Sequence, residues 1–209
     1  MGSRAKHPSG APTPERVVCL GIDPGRESGA ALVELVPTPG KAPYPALLGS
    51  WAVRGSSDRL WFDRAAAAVQ EAGRALGDGC LKIAFIEEIP ATFRTGSIQG
   101  VKRGHAAWAG LGKRWGAWQS ILFGAGWDVR EIEQSDWTQL CGVERSKEKA
   151  GGPAGRVREA CALVAGAAKA LAGIDHEKLS GDVAESVLIA LAGCVVMGRE
   201  ASAGRPTSR

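Results

Sequence analysis

Four carboxylates in this chain of 209 residues stand at positions where a charged side chain is costly. Asp23 ends the apolar run VVCLGID, and Glu87, with Glu88 beside it, ends the apolar run KIAFIEE. Asp182 and Glu185 are three residues apart near the start of a helical pattern, so they share one face of the predicted helix. A buried carboxylate is costly unless it has a partner or a metal ion, so these residues need an explanation.

Three of these carboxylates each have an ordinary alternative explanation. Asp23 could be the first residue of an Asp-Pro-Gly turn, and Glu87 could simply end a strand. Asp182 could be a helix-start carboxylate that the helix dipole favours. Glu185 is harder to explain in this way, because its neighbours in SGDVAESVLIALAG are apolar on nearly every side.

Taken together, the four carboxylates predict a metal site. Acidic groups that converge from two strands and a helix repel one another, and divalent cations relieve that repulsion. Hard oxygen ligands suit Mg²⁺ or Mn²⁺, and two such ions about 3.5–4 Å apart can hold a scissile phosphate and activate water. The sequence has no His/Cys set with the spacing of a zinc site, so zinc is not expected.

Hydrophobic periodicity predicts a single α/β domain with a mixed sheet. The predicted strands are 17–23, 29–36, 46–54, 81–89 and 127–133, with a loop at 38–45. The predicted helices are 58–76, capped by Ser57 or Asp58, then 97–124, a short helix after 133, 154–172 and 181–198. Phe62, Ala65, Val69, Ala72 and Leu76 are predicted to form the buried face of the first helix. The domain would span 16–199, between flexible tails at 1–15 and 200–209.

The composition favours a soluble intracellular protein. Hydrophobic residues make up 44% of the chain, enough for a core, and the net charge of +4 is compatible with nucleic-acid binding. The five cysteines lack a C-x-x-C pair and are predicted to be reduced. The first fifteen residues lack the apolar segment of a signal peptide, and the longest apolar run, 183–197, contains Glu185 and is shorter than a membrane span. We therefore expect a cytoplasmic protein without a membrane segment.

Four motifs resemble the RuvC family of Holliday junction resolvases. Gly21–Gly25 matches the family's G-I-D-P-G pattern, and Ile86–Glu88 is similar to its I-E-Q context. Asp182–Ala190, DVAESVLIA, resembles the family's D-A-A-D-A-L-A-I-A, and Leu111–Ala117 is similar to its L-G-x-x-x-G-A helix. The resemblance covers roughly residues 16–198, and the ordered set is more specific than any one motif.

The resemblance implies an RNase H-like fold, a mixed five-stranded sheet flanked by helices, and a homodimer that nicks opposite strands of four-way DNA junctions. Carried over by position, the catalytic metal ligands are Asp23, Glu87, Asp182 and Glu185, with two Mg²⁺ ions per site that Mn²⁺ could replace. The nicks would leave 5′-phosphate and 3′-hydroxyl ends, in the cytoplasm of a bacterial or phage-infected cell. Two alternatives stay open: another RNase H-like nuclease acting on hybrid or branched DNA, and a non-catalytic junction-binding dimer.

The sequence also departs from the family pattern. Glu185 stands where the family usually has Asp, and the lysine-bearing segment similar to Leu140–Lys149 has a register uncertain by a residue or two. The N-terminal tail and the 37–58 region are longer than in most bacterial members. These departures indicate a divergent member, of a kind that a phage could encode.

A long acid-free stretch predicts the DNA-binding surface. Asp and Glu are absent from Ile89 to Trp127, while basic residues and tryptophans are frequent there. Phe93 could wedge between bases or simply pack its loop, and His176 could assist proton transfer near Asp182 or be an exposed loop residue. The predicted DNA-binding residues are Phe93, Arg94, Lys102, Arg103, Lys113, Arg114, Lys147 and Lys149.

Overall fold

A mixed five-stranded sheet forms the centre of the molecule. The computed structural model describes residues 16–25, 27–38, 41–77, 80–89, 105–143 and 181–202. The sheet order is β3-β2-β1-β4-β5, with β1 antiparallel to β2, β2 antiparallel to β3, and β4 parallel to both β1 and β5. The strands are β1 (Val17–Asp23), β2 (Ser28–Thr38), β3 (Lys41–Val53), β4 (Ile83–Glu87) and β5 (Asp128–Ile132). The predicted fold class, α/β with a mixed five-stranded sheet, is confirmed.

Helices cover both faces of this sheet. They are α1 (Asp58–Leu76), α2 (His105–Gly124), α3 (Gln134–Leu140) and α4 (Gly181–Ser202). The predicted start of α1 is confirmed, because the Ser57 hydroxyl accepts a hydrogen bond from the Leu60 N–H, and Gly77 follows its last turn with φ +77°. The predicted helix 154–172, the tail 1–15 and most of the tail 200–209 lie outside the described residues.

Alternation along the strands divides the core into two apolar clusters. Leu20, Ile22 and Leu32 face α1 and α2, whereas Cys19, Val33 and Phe85 face α3 and α4. On the first face, the rings of Trp61 and Trp118 meet edge to face with centroids 5.7 Å apart. Trp118 is fully buried and therefore belongs to the core of this face.

The helix α4 is apolar enough to be mistaken for a membrane span. Within Gly181–Ala201, an 18-residue window has a mean hydropathy of 1.6, so this segment is long and apolar enough to cross a membrane. In the fold, 67% of that window is buried. Because α4 packs directly on β1 and β2, its composition is that of a core helix.

Two local predictions are wrong. The segment 38–45 was predicted as a loop, but β3 begins at Lys41 and pairs with β2 as far as Thr38. Pro43 and Pro45 obscured this strand, and they are tolerated because β3 is an edge strand. Phe62 was predicted to be buried, but it is 45% exposed and Trp61 occupies the buried face of α1 instead. Successive residues of a helix point about 100° apart around its axis. Assigning the buried aromatic to Phe62 instead of Trp61, one position away, therefore replaces a buried side chain by an exposed one.

The cysteines in the described part of the chain are free thiols, as predicted. Cys19 and Cys194 are buried, Cys80 and Cys141 are partly buried, and Cys161 lies outside the described residues. Burial raises the pKa of the Cys141 thiol to about 12, so this side chain is an unreactive core thiol at neutral pH.

Candidate metal centre

Two of the predicted carboxylates meet because β1 and β4 are parallel neighbours. Ile22 pairs with Ile86, so the next residues, Asp23 and Glu87, lie side by side where both strands end. Ile22 and Ile86 face α1 and α2, so alternation directs Asp23 and Glu87 to the opposite face, where α4 packs.

Two glycines let α4 approach the sheet closely enough to add its own carboxylates. A Cβ on Gly21 would lie 2.1 Å from the Ser186 carbonyl oxygen, and a Cβ on Gly29 would lie 2.2 Å from the Asp182 carbonyl oxygen. Any larger residue at either position would push α4 away from β1 and β2. The first turns of α4 are therefore held directly over the ends of these strands.

The result is a compact cluster of three carboxylates. Asp23, Glu87 and Glu185 each offer one oxygen, and these oxygens all lie within 4.8 Å of one another. Asp23 is 6% exposed and Glu185 4% exposed, whereas Glu87 is partly buried. Glu185 was predicted from sequence to be a buried carboxylate, and its burial is confirmed.

Asp182 lies beside this cluster rather than within it. A Cβ placed on Gly25 would be 3.3 Å from Asp23 Oδ1 and 3.7 Å from Asp182 Oδ1, so both carboxylates border the same turn. Glu185 is also close enough to Asp182 to influence its ionisation. The structure thus brings all four predicted carboxylates to one edge of the sheet, with three of them in the tight group.

Burial and mutual repulsion make the negative charge in this cluster unfavourable. Burial raises the pKa of Asp23 well above its ordinary value, and the charges of Glu185, Glu87 and Asp182 raise it further. A hydrogen bond of 3.0 Å from the Gly25 N–H to Asp23 Oδ1 acts in the opposite direction. Burial also raises the pKa of Asp182, with additional contributions from Glu27 and Glu185.

A divalent cation fits this arrangement. The donors are all carboxylate oxygens, which is the ligand type that Mg²⁺ and Mn²⁺ prefer. The raised pKa of Asp23 shows that the cluster lacks enough positive charge to favour its ionised form, and a bound cation would supply that charge. The acidic cluster could therefore hold a metal ion.

Sequence reasoning missed a residue that orients one of these carboxylates. Gln134, the first residue of α3, donates a hydrogen bond of 3.0 Å from Nε2 to Glu87 Oε1. The contact joins residues 47 positions apart, and no motif around Gln134 indicated it.

A second missed feature is an ion pair at the same edge of the sheet. Arg54 Nη2 lies 2.9 Å from Glu27 Oε2, and both residues influence the ionisation of Asp182. Glu27 stands in the GRESG turn after Asp23, but its partner becomes apparent only when β2 and β3 are paired.

Of the predicted DNA-binding residues, the structure describes Lys113 and Arg114. Lys113 Nζ forms an ion pair of 2.5 Å with Asp58 Oδ2 at the start of α1, and the charge of Arg114 also acts on Asp58. The positive charge of Lys113 is thus partly balanced in the free protein, which the acid-free sequence around it did not indicate. Phe93, Arg94, Lys102, Arg103, Lys147 and Lys149, together with His176, lie outside the described residues.

Comparison with known proteins places this arrangement in a known fold. No family model and no curated protein matches the sequence. Among solved structures, Thermus thermophilus RuvC in complex with a Holliday junction substrate matches with a TM-score of 0.59 and 22% identity, over 88% of this chain and 96% of that one. A second T. thermophilus RuvC structure matches with a TM-score of 0.58 and 20% identity, over 86% and 95%.

This chain has the RuvC fold. At these identities the comparison concerns the backbone architecture, and it agrees with the resemblance that the four sequence motifs indicated.

Proposed function

We propose that this protein is a metal-dependent endonuclease that resolves four-way DNA junctions. The observation that carries the proposal is the meeting of Asp23, Glu87 and Glu185 within 4.8 Å on a RuvC fold. The solved relative is itself a complex with a Holliday junction substrate, which supports the same substrate class for this chain.

In this proposal, Asp23, Glu87, Asp182 and Glu185 hold two Mg²⁺ ions, and Mn²⁺ can replace them. The ions supply the positive charge that phosphodiester hydrolysis by water requires, and the products carry 5′-phosphate and 3′-hydroxyl ends. The chain's own contribution is to fix the carboxylates. The turn after β1 orients Asp23 through the Gly25 N–H, and α3 orients Glu87 through Gln134.

Paired symmetric nicking requires two sites, so the proposal includes a homodimer in which a two-fold axis presents one site to each of two opposite strands. Light scattering tests this directly, because the chain has a mass of 21.7 kDa and a dimer would have twice that mass.

A cytoplasmic location stays a prediction.

The decisive experiment compares wild-type protein and Asp23→Asn on an end-labelled four-way junction. We expect the wild type to cut symmetric strands with Mg²⁺ or Mn²⁺ and not with EDTA, leaving nicks that DNA ligase can reseal. Asp23→Asn should bind the junction at least as tightly without cutting it, because a negative charge near phosphate is removed. Glu71→Gln, an exposed carboxylate on α1, is the control for the loss of one charge.

Other substrates separate the competing functions. Equal cleavage of linear duplex, flap or RNA–DNA hybrid would indicate a different RNase H-like nuclease. Tight junction binding without any cleavage in Mg²⁺ or Mn²⁺ would indicate a non-catalytic binding protein, and the proposed reaction would be wrong.

A further inference from the structure

The ion pair between Glu27 and Arg54 has no role in the function proposed above, yet it lies at the carboxylate edge of the sheet. Its two side chains are about half exposed, at 55% for Glu27 and 51% for Arg54. Strand pairing explains their position, because Ser28 is opposite Val53 and the flanking residues Glu27 and Arg54 are therefore neighbours. The end of β1 is one strand away, since Asp23 is opposite Gly29.

Both side chains belong to the face of the sheet that carries α4. Val53 is buried against α1 and α2, so the alternation of β3 directs the following residue, Arg54, to the opposite face. The first turn of α4 covers Gly29 on that face, which places Asp182 beside the pair. The electrostatics agree with this placement, because Glu27 raises the pKa of Asp182 and Arg54 lowers it.

The backbone of Arg54 is fixed, whereas its guanidinium pairs, within the described part of the chain, with the exposed carboxylate of Glu27. Arg64 Nη1 donates a hydrogen bond to the Arg54 carbonyl oxygen. Gly55, which follows Arg54, packs so closely on α1 that a Cβ placed on it would lie 2.5 Å from the backbone nitrogen of Trp61. An exposed ion pair contributes little to stability, so the guanidinium can exchange Glu27 for another anion at little cost. Guanidinium groups bind phosphate with two parallel hydrogen bonds.

We propose that Arg54 is a phosphate-binding residue of the site, held by Glu27 in the free protein and transferred to a backbone phosphate next to the cleaved phosphodiester when DNA binds. The inference rests on the proposed function and adds a contact to it. Glu27 then acts as a competing anion for the same guanidinium.

The test measures the affinity for a labelled four-way junction over a series of salt concentrations, with Ca²⁺ in place of Mg²⁺, and then measures cleavage in Mg²⁺. We expect Arg54→Gln to bind about 10-fold more weakly. Its plot of log affinity against log salt should be less steep by about 0.9, the value for one lost phosphate contact on duplex DNA. Arg54→Lys should keep the wild-type slope, because it keeps the charge.

Two further variants complete the design. Glu27→Gln should bind up to about 5-fold more tightly, because the competing carboxylate is removed. Arg74→Gln is the matched control: it removes the same charge from the last turn of α1, about 24 Å along the helix axis from Asp58, and should leave the affinity and the slope unchanged.

The outcomes separate this inference from the proposed function. If the wild type neither binds nor cleaves the junction, the proposed function fails. If the wild type is active and Arg54→Gln matches it in affinity and slope, only the assignment of Arg54 is wrong. A loss of affinity at Arg54→Gln with an unchanged slope would also overturn the assignment, because it would indicate that the ion pair only supports the β2–β3 end of the sheet.

Discussion

Asp23 is only 6% exposed, and oxygens of Glu87 and Glu185 lie within 4.8 Å of its carboxylate. Its ionised form is therefore unfavourable for two reasons, because it loses hydration and is repelled by the neighbouring negative charges. An isolated turn aspartate would show neither effect, which argues against the simple Asp-Pro-Gly explanation of this residue. A cation that enters the cluster relieves this repulsion, so the same unfavourable charge favours metal binding.

This repulsion predicts how stability depends on pH. The pKa of Asp23 is higher in the folded protein than in the unfolded chain, so the folded state binds more protons between the two pKa values. The resulting stabilisation is full below the ordinary carboxyl pKa, near 4, and is lost as pH rises through the raised pKa. The loss amounts to about 1.4 kcal/mol for each pH unit between the two pKa values. The pKa of Asp182 is raised as well, so this residue adds to the effect.

Urea unfolding in EDTA at a series of pH values measures this dependence. We expect the free energy of unfolding of the wild type to fall as pH rises from about 4 towards neutrality, relative to Asp23→Asn, which cannot ionise at this position. Asp23→Asn should therefore be the more stable protein at neutral pH without metal. Parallel curves for the two proteins would contradict the raised pKa of Asp23.

Among the elements, α4 depends on glycines in the strands beneath it. Gly21→Ala should destabilise the protein by about 1–3 kcal/mol, because the new Cβ would meet the backbone of Ser186 and Ala190, which cannot move aside as a side chain can. Displacing α4 also moves Glu185 away from Asp23, so cleavage should be lost. Thermal unfolding and junction cleavage measure the two effects.

The control for this substitution is Gly73→Ala in α1, where a new Cβ would meet nothing within 4 Å. It should stabilise the protein by about 0.5–1 kcal/mol, because alanine favours the helix. An unaffected Gly21→Ala protein would show that α4 lies farther from β1 than the structure places it.

The short helix α3 positions Glu87 through the side chain of Gln134. Gln134→Ala should raise the Mg²⁺ concentration needed for half-maximal cleavage by about 10-fold or more, as is usual when a hydrogen bond to a metal ligand is lost. Gln139→Ala, an exposed position on the same helix, should leave the requirement unchanged. An equal Mg²⁺ requirement in all three proteins would show that Gln134 does not orient the carboxylate.

The elements also show what the sequence could and could not predict. The apolar runs and turn residues predicted β1 to the residue and α1 to within about one residue, because each has its own local signal. The start of β3 was missed because prolines are poor strand residues except at an edge, and edge position is a property of the whole sheet. The contacts between Glu27 and Arg54 and between Gln134 and Glu87 were missed because only strand pairing and helix packing bring these residues together.

On the scale of the whole molecule, the candidate metal centre exists only in the folded chain. Asp23 comes from β1, Glu87 from β4 and Glu185 from α4, and these elements meet through the parallel pairing of β1 with β4 and through the glycines under α4. The resemblance of sequence motifs predicted that these residues would converge. The structure adds the strand pairing and the close helix packing that bring these residues together, and it places Asp182 at the border of the group formed by the other three carboxylates.

Because the ligands converge only on folding, metal binding must stabilise the whole molecule. A Mg²⁺ concentration 100 times the dissociation constant should raise the free energy of unfolding by about 2.7 kcal/mol, which corresponds to a rise in Tm of about 5–11 °C for a chain of this size. Calorimetry at increasing Mg²⁺ measures the rise, and Asp23→Asn should show little of it because one ligand is missing. An equal rise in both proteins would mean that the cation binds elsewhere, and the absence of any rise with Mg²⁺ or Mn²⁺ would mean that these carboxylates do not form a metal site.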